Sequence, residues 1–86
     1  MIASTMIHVG SMVKQELRRQ RTSVSWLSRK LHMERSGVYK MLHRQSLDID
    51  TLIEISVVLD HDFFADISRK LYNDSNTFFI MYANMK

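Results

Sequence analysis

The chain has no cysteine and no proline, and only two glycines among its 86 residues. The lack of cysteine excludes disulfide staples, thiolate zinc sites and thiol nucleophiles. So little glycine and proline leaves no material for a Gly-rich phosphate loop or for tight hairpins, and helices are the expected content. No apolar run approaches the ~18 residues that a membrane span needs, and no basic-then-apolar leader is seen. A cytoplasmic protein with no membrane role is the expectation. Acids are scarce in one half: residues 1–44 hold nine basic groups against Glu16 and Glu34, whereas residues 45–86 hold Arg69, Lys70 and Lys86 against seven acids. The net charge of +3 thus conceals a basic half suited to a polyanion and an acidic half suited to something else.

Hydrophobic residues at 45% and charged ones at 24% describe a globular chain. At this length one modest core is the ceiling, because a domain this small buries only about 60% of its unfolded surface. Residues 1–8 show no pattern and read as a flexible N-terminus. From Val9, apolar residues at Val9, Met12, Val13 and Leu17 fall at helical spacing and predict a first helix over 9–21. Ser23 is a good N-cap for a second helix over 24–31, with Val24, Leu27 and Leu31 as its stripe. A third helix is predicted over 35–43 with Val38, Met41 and Leu42 inward, and Met33 and Val38 are placed to form a hydrophobic staple. Asp48 caps a fourth helix over 49–59, whose Leu52, Ile53, Ile55, Val57, Val58 and Leu59 cover most of its circumference and predict burial nearly all round. Asp62 caps a fifth helix carrying Phe63, Phe64, Ile67 and Leu71, followed by a polar break from Tyr72. Residues 9–71 then form the domain and residues 72–86 a tail. Within it Phe78-Phe79-Ile80-Met81-Tyr82 is a β-prone run without charge.

Two short helices joined by about three residues, the second with a polar outer face, make the layout of a helix-turn-helix. On the third helix Ser36, Tyr39, Lys40 and His43 cluster opposite Val38, Met41 and Leu42, with no acid among them. Arg35 flanks that face in the first turn and Arg44 follows the last. Arg35 and Lys40 suit the O6 and N7 acceptors of guanine, Ser36 is a permissive hydrogen-bonder, and Tyr39 suits a thymine methyl or a phosphate. Ser23 and Ser25, at the start of the second helix, suit a phosphate oxygen. Arg18, Arg19, Arg21, Arg29 and Lys30 add nonspecific attraction. Trp26, beside Leu27 and Leu31, reads as core or rim packing in preference to a base-stacking platform.

The stretch from Ser23 to Ile67 resembles the phage-repressor-like (XRE-type) helix-turn-helix regulators, and is similar to the small members common in Bacteroides-like bacteria. The residues that carry the resemblance are Trp26-Leu27-Ser28-Arg29-Lys30-Leu31-His32-Met33, Ser36-Gly37-Val38-Tyr39-Lys40-Met41-Leu42, Leu52-Ile53-Glu54-Ile55-Ser56 and Leu59-Asp60-His61-Asp62-Phe63-Phe64. The resemblance implies an all-α, lambda-repressor-like five-helix bundle that binds operator DNA as a two-fold dimer, with its recognition helix over 35–43. It implies base reading by Arg35, Ser36 and Lys40, with Tyr39 adjoining, and phosphate contacts from Ser23, Ser25, His43 and Arg44. Where many members keep a glycine in the turn this chain has His32. Ser28 replaces a small alanine, and Gly37 stands inside the recognition helix, where it is either tolerated or allows close approach to DNA.

The expected function is therefore sequence-specific binding of double-stranded DNA by a small regulator, as a repressor. The alternative is a protein-interaction or antitoxin-like module on the same fold. A homodimer through the fifth helix and the tail is expected, because an unpaired strand of that composition is an aggregation hazard; the alternatives are a tail folded back on its own bundle and a separate protein partner docked on the acidic half. No catalytic residue, metal or cofactor is expected. The four histidines fall in different elements, and adjacent Asp60-His61-Asp62 point different ways, the two acids reading as caps.

Overall fold

The computed structural model describes residues 7–74, and these form five α-helices with no strand among them. They are α1 (Val9–Arg19), α2 (Val24–Leu31), α3 (Arg35–Leu42), α4 (Ile49–Leu59) and α5 (Phe63–Asp74). Residues 75–86, which include the β-prone run at 78–82 expected to pair across a dimer, lie outside the described residues. α2 packs on α3 and α4, and α1 packs on α3. The core is built from the stripes that the 3.6-residue period marked: Val9, Val13 and Leu17 of α1, Leu27 and Leu31 of α2, Val38, Met41 and Leu42 of α3, then Leu52, Ile55, Leu59 and Phe63.

Local caps start the helices. Ser23 accepts from the Trp26 amide at 3.0 Å, Asp48 from that of Thr51 at 2.7 Å, and Asp62 from that of Ala65 at 2.9 Å. α1 is capped by His8, whose Nδ1 accepts from the Ser11 amide at 3.0 Å, and Ile7 packs against the core. The fold therefore begins inside the stretch read as an N-terminal arm. α3 has no side-chain cap, since Glu34 makes none.

Three helices end the same way, on a left-handed residue that is not glycine. Arg21, His32 and Asp60 have φ of 56°, 55° and 50°. In each case the next residue donates back across the last turn: Thr22 to the Leu17 carbonyl, Met33 to Ser28 and His61 to Ser56. This closure stops α1 at Arg19, two residues before the sequence-predicted end. His32, where the resemblance expects glycine, thus occupies a glycine-favouring conformation. Both glycines of the chain lie in helices, neither with positive φ.

Two expectations are corrected. α4 is not buried all round: Leu52, Ile55 and Leu59 face the core, but Ile49, Ile53 and Val57 are exposed, because the other described helices cover only one side of it. α5 extends into the polar break expected from Tyr72, as far as Asp74, in a segment with no glycine or proline to stop it. Met33, read as half of a staple with Val38, has its terminal methyl near Gly37, and Val38 is fully buried.

Polar side chains fasten α1 to the α4–α5 turn. Glu16 is buried, and both its oxygens accept from Arg19 Nε at 3.0 Å. Gln20 Nε2 donates to Glu16 and to the Leu59 carbonyl, each at 2.7 Å. His61 Nδ1 lies 3.6 Å from the same carboxylate, and its Nε2 lies 2.5 Å from Asp66. The hydrogen bond from Arg19 holds the Glu16 carboxyl below its ordinary range, against the opposing effect of burial.

Candidate nucleic-acid interface

α3 is held from behind by Val38, Met41 and Leu42, all buried, so its opposite side is presented outward in a fixed register. Arg35, Ser36, Tyr39 and Lys40 are exposed on it, and His43 and Arg44 are exposed just beyond its last turn. All six of these sequence-predicted residues therefore share one end-to-end surface. Glu34, exposed before Arg35, is an acid at its edge.

The start of α2 stands beside the start of α3. Arg35 Nη1 donates to Ser25 Oγ at 3.3 Å, joining a residue expected at a base edge to one expected at a phosphate. Ser23 Oγ is engaged as a cap and retains its hydroxyl proton for donation. Ser28 is buried and donates to the Ser25 carbonyl at 2.8 Å, so the hydroxyl that stands for an alanine is satisfied locally. Trp26 is half-buried against the core with Lys30 Nζ 5.7 Å from its ring centroid, so it serves packing.

Two grooves flank α3. One, of about 280 Å³, lies between α3 and α1 and is lined by Lys14, Arg18, Thr22, Tyr39 and His43 among others, with no acid. The His43 Nδ1 sits 2.8 Å from the Tyr39 carbonyl. A carbonyl only accepts, so Nδ1 is the donor in that contact. The second groove, of about 290 Å³, separates α3 from α4 and holds Lys40 and Arg44 with Asp48 and Thr51. The Asp48 carboxyl is held below its ordinary range by its hydrogen bonds from Thr51, and further by the charge of Arg44.

No family model, no curated protein and no solved structure matches this chain.

The residue that sequence reasoning missed is Lys14. It stands one turn before Arg18 on α1, and that spacing was the available signal. Arg19, counted as a nonspecific cation, is instead paired with Glu16. Among the described residues no group of three His, Asp or Glu side chains is placed to hold a metal ion, and no helix is long and apolar enough to cross a membrane.

Proposed function

We propose that this chain is a sequence-specific double-stranded DNA-binding regulator of the XRE type, working as a two-fold dimer. In this reading α2 and α3 act as a helix-turn-helix, with α3 in the major groove. The observation that carries it is the outer face of α3: four exposed hydrogen-bonding or cationic residues, fixed by three buried ones and bordered on both sides by cation-lined grooves. Arg35, Ser36, Tyr39 and Lys40 read base edges. Ser23, Ser25, His43 and Arg44 take phosphates, joined by Lys14 and Arg18 on the α1 side. Repression by steric exclusion is the output that such a bundle delivers unaided.

A gel shift with random-sequence duplex at low salt tests the reading. A shift that weakens steeply with added salt is expected. No shift at any protein concentration, or equal competition by duplex RNA, would sink it. The second reading, a protein-interaction module, has one observation in its favour, the exposed apolar row on α4.

A further inference from the structure

The groove between α1 and α3 combines an apolar lining with uncompensated positive charge. The apolar part is Leu17 and Leu42, both buried, with half-buried Val24, and Tyr39 adds an exposed aromatic ring. Lys14 and Arg18 line it from α1, both exposed, and neither pairs with an acid among the described residues. Elsewhere the cations are offset. Arg19 is joined to Glu16 and Arg69 to Asp66, and in the groove between α3 and α4 the charge of Arg44 acts on Asp48.

A phosphate alone answers the two charges but brings nothing apolar to Leu17, Val24 and Leu42. A ligand that uses the whole groove carries one anionic group and a compact apolar body, the usual division of a small-molecule site. At about 280 Å³ the groove lies at the lower limit of such sites, which restricts the body to roughly one ring. The Tyr39 ring favours an aromatic one, packed edge-to-face or offset. A carboxylate is the matching anion, because it accepts two parallel N–H bonds from a guanidinium such as that of Arg18.

We propose that the α1–α3 groove binds a small aromatic carboxylate, its ring against Leu17, Val24 and Leu42 and its carboxylate on Lys14 and Arg18. One consequence rests on the DNA-binding reading: an occupied groove withdraws Lys14 and Arg18 from phosphates and sets an anion beside Tyr39 and His43. Ligand and DNA then exclude one another, and the ligand is an effector that releases the regulator.

Phenylacetate is the probe, titrated into the full-length protein without DNA and followed by methyl NMR. The methyl signals of Leu17, Val24 and Leu42 should shift together under the ring current and saturate in the millimolar range, while those of Ile53 and Val57 stay in place. Phenylacetamide keeps the ring without the charge and should bind about five- to tenfold more weakly. The same loss is expected for phenylacetate with Lys14→Gln/Arg18→Gln, a pair of exposed substitutions. Acetate should leave the three residues unmoved. Phenylacetate that moves none of them at millimolar concentration would overturn the site. So would an amide that binds as well as the acid, or acetate that acts like phenylacetate, which would leave a plain anion patch. In a gel shift, phenylacetate at its own dissociation constant should weaken duplex binding about twofold, and phenylacetamide at that concentration should do far less. Duplex binding unchanged by saturating phenylacetate would remove the effector role. The NMR titration contains no DNA, so the groove and the DNA-binding reading fail separately.

Discussion

Gly10 donates its backbone N–H to the carbonyl of Arg44 at 3.0 Å, and Val9 donates to that of Gln45 at 2.9 Å. The first amides of α1 are thus satisfied by the loop that follows α3. The approach is so close that a Cβ on Gly10 would stand 2.4 Å from the Leu42 carbonyl oxygen and 2.6 Å from that of Arg44. Both obstacles are backbone and cannot swing aside. Gly10→Ala should therefore lower stability by about 1–3 kcal/mol, outweighing the ~1 kcal/mol that alanine gains in helix propensity. Urea denaturation of the two proteins measures the difference.

The left-handed helix ends predict the opposite effect of glycine. His32 and Arg21 are exposed and hold φ near 55°. His32→Gly and Arg21→Gly should each raise stability by about 0.5–1 kcal/mol, the strain relieved less the entropy glycine loses. Asp60→Gly should gain less, since aspartate tolerates this region. A midpoint that falls for His32→Gly would show that its side chain contributes more than its backbone costs.

A Cβ added at Gly37 would meet only the Met33 methyl, at 3.3 Å, and that methyl ends a flexible side chain. Gly37→Ala should stabilise the fold by up to about 1 kcal/mol. A gel shift on the same variant decides between the two roles of this glycine: unchanged affinity means that it is tolerated, and weakened affinity means that DNA approaches the backbone there.

Glu16 sets an acid limit. Its folded pKa lies below the ordinary 4.5, so the carboxylate stabilises the fold at neutral pH. That contribution declines below the unfolded value and is gone once the pH has fallen through the folded one. Glu16→Ala should lose about 1–3 kcal/mol at pH 7, leaving Gln20 and His61 without this partner. Its stability should also fall less steeply in acid than that of the wild type, as read by denaturation at a series of pH values.

The residues proposed to meet DNA separate by the kind of loss. Lys40→Ala should relax preference at one base pair by about 1–3 kcal/mol. Arg44→Ala and Lys14→Ala should weaken all sequences alike and reduce the salt slope by about one unit each. Uniform weakening by Lys40→Ala would make it a phosphate contact.

Helix positions, their caps at Ser23, Asp48 and Asp62, and the acid-free face of α3 were all determined by the sequence by itself. Each depends on residues within about four positions of one another, where apolar spacing and side-chain-to-amide geometry operate locally. The tertiary structure alone decided what depends on one helix passing another. It set Gly10 against the Leu42 and Arg44 carbonyls, placed Lys14 beside Tyr39 and His43, and joined Arg35 to Ser25. It also left Ile49, Ile53 and Val57 of α4 uncovered by the other described helices: composition marks a residue as apolar, but only the packing of neighbouring helices decides whether anything lies against it.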